Sequence, residues 1–177
     1  MANRSKKVVL SARIDGYLKA GLEMYAASRE QKIVKVLETF LETGLDESYV
    51  DSPFHDSKRT LQRITYLDVL KAVWSEDEIL FKVRAGALGR DYAGETAYRQ
   101  AMIAIACFPG EVDLYGDLNG YIKQYGYESP RECLIDLERV RADWHLIEDY
   151  VAFLENNKPF EPTFGDYLAM REKSESK

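Results

Sequence analysis

The chain has 177 residues, of which 46% are hydrophobic and 31% are charged, so it can form one or two domains with a packed core. No apolar run approaches the roughly 20 residues needed to cross a bilayer, and the polar first residues MANRSKK lack an apolar signal segment, so we expect a cytoplasmic protein. Cys107 and Cys133 lie far apart and outside any CxxC spacing, which favours reduced thiols over a disulfide or a metal site.

The first predicted element is a β-strand over residues 9–14, where side chains alternate between two faces with a period of two. The apolar face consists of Leu10, Ala12 and Ile14. The opposite face consists of Val9, Ser11 and Arg13. A single strand leaves its backbone hydrogen-bonding groups unpaired, and no second strand of similar quality follows in the sequence. The simplest partner is therefore the same strand of a second subunit.

Two short amphipathic helices are predicted after the strand. Asp15 is placed to cap the first helix, over residues 16–27, whose core face is Leu18, Leu22 and either Tyr25 or Ala26. The sequence Ser28-Arg29-Glu30-Gln31 has the pattern of a capping box, with Ser28 as the N-cap of the second helix. That helix is predicted to stop at Gly44. Its apolar residues at helical spacing are Ile33, Val36, Leu37, Phe40 and Leu41.

A strand followed by two helices in about 40 residues, with the strand paired across a dimer axis, resembles the ribbon-helix-helix family of DNA-binding proteins (the Arc and MetJ type). The resemblance implies that strands from two subunits pair antiparallel and enter the major groove. It implies further that outward strand residues read base edges and that the second helix holds a phosphate at its N-terminus. The resemblance covers roughly the first quarter of the chain. Two departures are a turn without the usual glycine and Asp15 where many members have proline.

Carried over position by position, the resemblance assigns three groups of residues. The ribbon residues, for base edges and a flanking phosphate, are Lys7, Val9, Ser11 and Arg13. The phosphate residues are Ser28, Arg29 and Glu30 at the second helix, with weaker contacts from Arg4, Lys6 and Lys32. The dimer core is Leu10, Ala12, Ile14, Val36, Leu37 and Phe40.

The chemistry of these residues favours DNA independently of the resemblance. An arginine fork suits O6 and N7 of guanine, and a serine hydroxyl can hydrogen-bond several base edges. A helix N-terminus offers N–H groups and partial positive charge to a phosphate. Residues 1–45 hold eight Lys or Arg and five acids, a net charge of +3, whereas the remaining 132 residues carry −9. A basic segment on an acidic protein indicates an anionic partner at this segment.

The rest of the chain is predicted to be helical. Residues 46–57 contain acids, serines and Pro53, and they predict a linker between an N-terminal domain (1–45) and an all-α C-terminal domain (58–177) of four to six helices. Capping boxes are predicted at Ser75 with Glu78 and at Ser129 with Glu132. The predicted helices cover residues 58–74, 76 to about 87, 95–108, 111–125, 130–156 and 163–173.

The helix predicted over 130–156 carries a heptad seam. Its members are Cys133, Leu137, Val140, Trp144, Ile147, Val151 and Leu154. Two interpretations are open: the seam is the spine of the helical domain, or it is a subunit interface. Trp144 is large for a tight two-stranded seam, which favours the spine.

The sequence contains no Gly-rich phosphate loop, no HExxH motif and no His, Cys and acid cluster with ligand spacing. We therefore expect no enzyme activity, no cofactor and no metal. We expect a homodimeric, sequence-specific DNA-binding transcriptional regulator, for which the resemblance implies a bacterial, plasmid or other mobile-element origin. The alternatives are a relaxosome accessory protein, an antitoxin, or an interaction protein with no DNA affinity. The C-terminal domain would accordingly contact a polymerase, a relaxase, a toxin or another subunit on DNA, and we expect no membrane partner.

Overall fold

The structure is a computed structural model that describes residues 9–56, 63–116, 127–128 and 133–175. This part of the chain is mainly helical, as predicted. Its helices are α1 (Gly16–Ser28), α2 (Ile33–Glu47), α3 (Tyr66–Val73), α4 (Glu78–Ala87), α5 (Arg90–Cys107), α6 (Leu137–Asn156) and α7 (Phe164–Glu175). Its strands are β1 (Tyr49–Asp51), β2 (His55–Asp56), β3 (Arg63–Thr65), β4 (Pro109–Asp113), β5 (Tyr127–Glu128) and β6 (Leu134–Ile135). No helix among these residues is long and apolar enough to cross a membrane.

Two compact units divide the described residues. The first unit contains the residues up to Asp51 together with Arg63–Val69, and the second contains the others. In the first unit, α1 begins directly after Asp15, which occupies the N-cap position as predicted, although its side chain makes no capping hydrogen bond. The strand predicted over residues 9–14 has no partner strand in the described part of this single chain, so the paired ribbon stays a prediction.

A Schellman turn closes α1 and connects it to α2. The N–H of Gln31 donates to the carbonyl of Ala26 at 3.0 Å, and the N–H of Glu30 donates to that of Ala27 at 3.2 Å. Glu30 adopts the left-handed conformation that this turn requires, with φ of 53°. The turn therefore uses a glutamate at the position where glycine is the usual residue.

The predicted limits of α2 are both wrong. Ser28 is not an N-cap, because it is the last residue of α1 and its hydroxyl donates to the carbonyl of Tyr25 at 2.8 Å. Helix α2 begins at Ile33, with Lys32 at the N-cap. At the other end it continues through Gly44 to Glu47, because the Gly44 carbonyl accepts a hydrogen bond from the Ser48 hydroxyl at 2.7 Å.

A two-stranded antiparallel sheet of β1 and β3 follows α2 in the first unit. The register pairs Tyr49 with Thr65 and Asp51 with Arg63. Residues 49–51 fall in the predicted linker and residues 63–65 in the predicted C-terminal helical domain, so neither strand was anticipated. The two strands are only three residues long each, which is too short for alternation to reveal them.

The second unit is built around α6, whose seam is buried within the unit. The relative exposure of Val140, Ile147 and Val151 is 0%, and that of Trp144 is 5%. This burial supports the interpretation of the seam as the spine of a helical unit rather than a subunit interface. The helix starts at Leu137, later than predicted, because the Asp136 carboxylate caps it by accepting a hydrogen bond from the Arg139 N–H at 3.1 Å. Cys133 therefore lies outside the helix, and residues 129–132 lie outside the described part of the chain.

The second unit is not all-α, which corrects the prediction. Strand β4 occupies residues 109–113, where a helix was predicted over 111–125, and it pairs antiparallel with β6. Strand β2 pairs likewise with β5. Gly110 allows the chain to pass close to the start of α6, because a Cβ at this position would lie 2.3 Å from the Asp136 nitrogen. Residues 117–125 of the predicted helix lie outside the described part.

Helices α4 and α5 pack closely against each other in the second unit. A Cβ at Gly86 would lie 2.2 Å from the Ala97 carbonyl oxygen, so only glycine fits this crossing. The N-cap of α4 is Asp77, whose carboxylate accepts from the Leu80 N–H at 3.0 Å, and not Ser75 as predicted. Ser75 instead accepts a hydrogen bond from the Asp77 N–H at 3.1 Å.

Candidate nucleic-acid interface

The described residues predicted to read DNA from the ribbon lie in the segment before α1, to which no secondary structure is assigned. Val9 is 97% exposed and Leu10 is 79% exposed, and Ser11, Ala12 and Arg13 are also exposed. Arg4, Lys6 and Lys7, which were predicted to contact phosphates or the ribbon flank, lie outside the described residues. The described segment therefore presents both of its faces to solvent in a single chain.

Three cations in the described residues 9–47 of the first unit are not neutralised by a carboxylate. Among the described residues, no carboxylate lies within ion-pair distance of Arg13, Arg29 or Lys32. Two other lysines in the helix pair do have acidic partners: Lys19 with Glu23 at 3.3 Å and Lys35 with Glu38 at 3.8 Å. These three cations are described residues that the sequence analysis assigned to DNA; Arg63, elsewhere in the first unit, also has no carboxylate partner among the described residues and donates to the Tyr49 carbonyl at 3.0 Å.

The turn between α1 and α2 holds the predicted phosphate residues Ser28, Arg29 and Glu30. The Arg29 guanidinium lies over the Tyr25 ring, 5.5 Å from its centroid, which holds this cation against α1. The N-terminus of α2 has no side-chain cap, so its first N–H groups lack the acceptor that a cap would supply. The turn therefore combines an arginine with the positive end of a helix dipole, although the helix starts later than predicted.

An apolar groove of about 500 Å³ runs along the helix pair. The rings of Tyr25 and Phe40 form one part of it, with centroids 5.3 Å apart. Leu37 and Phe40 are 41% and 48% exposed, and Ile14 at the end of the N-terminal segment is 54% exposed. The groove is lined by Ile14, Tyr17, Leu18, Gly21, Leu22, Tyr25, Leu37 and Phe40.

This groove contains half of the predicted dimer core. Of the six predicted core residues, only Val36 is buried, with 1% exposure. The others are exposed in a single chain: Leu10, Ala12, Ile14, Leu37 and Phe40. Within α1 and α2, Ala26 and Val36 are the buried side chains of the two helices. An exposed apolar face this extensive is typical of an interaction surface.

The sequence analysis did not assign Tyr17 or Gly21 to this surface. Together with Tyr25 they follow a spacing of four along α1, so they form one continuous row on the helix. That spacing was visible in the sequence. The sequence analysis did not recognise this row because it left Tyr17 out of the predicted core face of α1 and because Gly21 has no side chain.

Comparison with models of known protein families, with curated proteins and with solved structures finds no match for this chain. In the described part of the chain, no group of three or more His, Cys, Asp or Glu side chains is placed to hold a metal ion. The interface is therefore interpreted from its own geometry and chemistry.

Proposed function

We propose that two copies of this chain associate through the groove of the first unit and through their N-terminal segments, which pair as a two-stranded ribbon. The observation that carries the proposal is the exposed apolar groove between α1 and α2. Among its described residues the first unit buries only Ala26, Val36, Ile64 and Val69, which is a small core, and association is a usual way to enlarge one. A second copy supplies the same apolar residues to cover the groove.

The position of Ile14 supports the predicted direction of the ribbon. Ile14 lines the groove, so the strand face that it shares with Leu10 and Ala12 would turn towards the helices in the dimer. The opposite face would then carry Val9, Ser11 and Arg13 outward. The same alternation that covers the groove thus exposes the polar residues on the side where DNA would bind.

The exposed ribbon face has the chemistry for reading DNA bases. Arg13 has no carboxylate partner in the described part of the chain, and its guanidinium can donate two parallel hydrogen bonds to a guanine. Arg29, Lys32 and the uncapped N-terminus of α2 provide the charge for phosphates on the flanking backbone. We infer a sequence-specific, DNA-binding transcriptional regulator that acts as a homodimer.

A relaxosome accessory protein would use the same DNA chemistry and would differ in the site and the partner. An antitoxin has less support, because toxin-neutralising regions usually look disordered alone, whereas the second unit buries its own core, including Val83, Leu114 and Ile147 at 0% exposure. The DNA sequence that the protein selects separates a promoter operator from a transfer origin.

The test is selection from random duplex DNA by the full-length protein, with Arg13→Ala and Lys19→Ala as matched variants. Both variants remove one positive charge from the first unit, but Lys19 is paired with Glu23 on α1. We expect the unaltered protein and Lys19→Ala to enrich the same palindromic or repeated motif. Arg13→Ala should bind that motif more weakly by about 1–3 kcal/mol and relax the preference at one base.

Two outcomes would contradict the proposal. An absence of enrichment at both low and moderate salt would exclude sequence-specific DNA binding and favour an interaction protein. Enrichment of an identical motif by Arg13→Ala, at equal strength, would leave DNA binding standing but remove Arg13 from base recognition.

A further inference from the structure

A cleft of about 490 Å³ lies in the second unit, away from the proposed DNA-binding segment in sequence. Helix α5 contributes Tyr98, Arg99 and Met102, and α6 contributes Tyr150 and Leu154. Residues 161–163, between α6 and α7, form the third wall. The Tyr150 hydroxyl donates to the Pro162 carbonyl at 2.6 Å and fixes this wall against α6. The volume falls within the range of about 300–1,000 Å³ that is usual for small-molecule sites.

The polar side of the cleft is organised around Glu95. One carboxylate oxygen accepts a hydrogen bond from Arg99 Nε at 2.7 Å, and the other forms an ion pair with Arg90, whose Nε lies 2.7 Å away. Gly94, at φ of 81°, breaks α5 just before Glu95. In a continuous helix, side chains five residues apart such as Arg90 and Glu95 point away from each other, so the break is what allows both arginines to reach one carboxylate.

Arg99 is the residue in this cleft that is equipped to bind an anion. Its side chain is 26% exposed, and Glu95 is its only hydrogen-bond partner in the described part of the chain. Glu95 engages Nε, so the two terminal amino groups of Arg99 remain for an acceptor in the cleft. The hydrogen bond that Arg99 donates to Glu95 raises the pKa of Arg99, as do the nearby charges of Glu95, Glu161 and Glu155, so the guanidinium is charged at every physiological pH.

The walls determine what kind of anion fits. Met102 and Ile103 are half-buried in the cleft and offer a polarisable thioether and an aliphatic side chain, which suit a flat apolar body. The planar fork of an arginine matches a carboxylate or a phosphate. Glu161 faces the same cleft, and its negative charge opposes a phosphate dianion more strongly than a carboxylate monoanion.

We propose that this cleft binds a small aromatic monocarboxylate, with its carboxylate on Arg99 and its ring against Met102 and Ile103. The site is separate from the proposed DNA-binding residues and does not depend on that proposal. If the chain is a regulator, the cleft would serve as its effector site.

Isothermal titration calorimetry of the full-length protein, without DNA, tests the proposal with three probes that share one ring system. The probes are 2-naphthoate, 2-naphthyl phosphate and 2-naphthalenemethanol. We expect 2-naphthoate to bind about tenfold or more tightly than the other two. No binding of 2-naphthoate at millimolar concentration, or equal binding of the neutral alcohol, would overturn the proposal. Tighter binding of the phosphate would overturn the assignment to carboxylates.

Three variants locate the site. Arg99→Gln should weaken 2-naphthoate binding about tenfold or more, because it removes a charged hydrogen-bond donor. Arg171→Gln is the matched control, since Arg171 pairs with Asp149 at 2.8 Å outside this cleft, and it should bind normally. Unchanged binding by Arg99→Gln would place the probe elsewhere and overturn the proposal.

Glu161→Gln keeps the proposal testable if Arg99→Gln does not fold. Glu161 is exposed, so its replacement does not disturb the core. Removing its negative charge should tighten 2-naphthoate binding about threefold. It should also reduce the difference in affinity between 2-naphthoate and 2-naphthyl phosphate. Equal affinities of this variant and the unaltered protein for both anions would contradict the placement of the anion beside Glu161.

Discussion

Helices α2 and α6 both carry a stripe of apolar side chains, yet only one stripe is covered within a single chain. On α6, Val140, Ile147 and Val151 have 0% exposure, whereas on α2 the exposure of Leu37 is 41% and that of Phe40 is 48%. The periodicity of the two helices does not distinguish these cases, because a stripe requires a partner without specifying which chain supplies it. Burial within one chain makes the distinction: the α6 stripe is an internal spine, and the α2 stripe remains exposed.

The largest effect on stability should come from a substitution in the buried apolar stripe of α6. Ile147→Ala removes buried methyl groups from the spine and should lower the free energy of unfolding of the second unit by about 2–5 kcal/mol. Urea unfolding followed by tryptophan fluorescence is suited to the measurement, because both tryptophans, Trp74 and Trp144, belong to the second unit. His145→Ala, at an exposed position of the same helix, should change stability by less than about 0.5 kcal/mol. A similar loss in the two variants would mean that the seam is not the spine.

Substitutions in the exposed apolar stripe of α2 should instead change the affinity of dimerisation. Leu37→Asp puts a charge into the groove and should weaken dimerisation about 100-fold or more, equivalent to about 2.7 kcal/mol. Sedimentation velocity would show a monomer at concentrations where the unaltered protein is a dimer. Thr43→Asp adds the same charge to an exposed position of α2 that does not line the groove and should leave the dimer intact. A dimer that persists in Leu37→Asp would contradict the assignment of the groove to a second copy.

A smaller, pH-dependent effect is expected at the start of α4. Burial opposes the ionisation of Asp77, but the Leu80 N–H and the Arg141 guanidinium outweigh it and lower the pKa of Asp77. A carboxylate with a lowered pKa in the folded state stabilises the fold above its ordinary pKa, and this contribution is lost as the pH falls through the folded-state pKa. Asp77→Ala should therefore cost about 1 kcal/mol at pH 7 and progressively less below about pH 4.

Thermal unfolding between pH 2 and pH 8 would measure this difference. Glu76→Gln changes the adjacent exposed carboxyl group, which caps no helix, and should shift the unfolding temperature little at any pH. If the difference between Asp77→Ala and the unaltered protein were constant across the range, the cap and the Arg141 contact would not depend on ionisation of Asp77.

The features that the sequence predicted well are those decided by neighbouring residues. Helical spacing identified the α6 seam, the end of that helix at Asn156, and the short final helix that the structure places at Phe164–Glu175. The start of α1 was also predicted from a local signal, the N-cap residue Asp15. The strand predicted from the alternation in residues 9–14 stays a prediction, because the structure assigns no strand there.

The errors concern helix starts and pairings between distant segments. Ser28 and Ser129 looked like strong caps, but α2 begins after Lys32 and α6 begins after Asp136. A serine with a following glutamate or glutamine fits several local structures, and tertiary contacts select among them. Strands β4 and β6 are short and do not alternate in polarity, so no local sequence pattern predicts their pairing. The cleft around Arg99 was missed because it requires α5, α6 and residues 161–163 together.

The turn between α1 and α2 offers a way to stabilise the first unit without changing its groove. Glu30 sits at φ of 53°, a conformation that costs an ordinary residue about 1–2 kcal/mol and costs glycine almost nothing. Glycine also loses more chain entropy on folding, so Glu30→Gly should stabilise the first unit by a net amount of about 0.5–1 kcal/mol. The opposite kind of substitution, Gly44→Ala, should stabilise the first unit by a similar amount, because Gly44 lies inside α2 with open space around its Cβ position. Urea unfolding followed by circular dichroism at fixed protein concentration would measure both variants. Destabilisation by Glu30→Gly would mean that the glutamate side chain contributes more to the turn than its strained backbone costs.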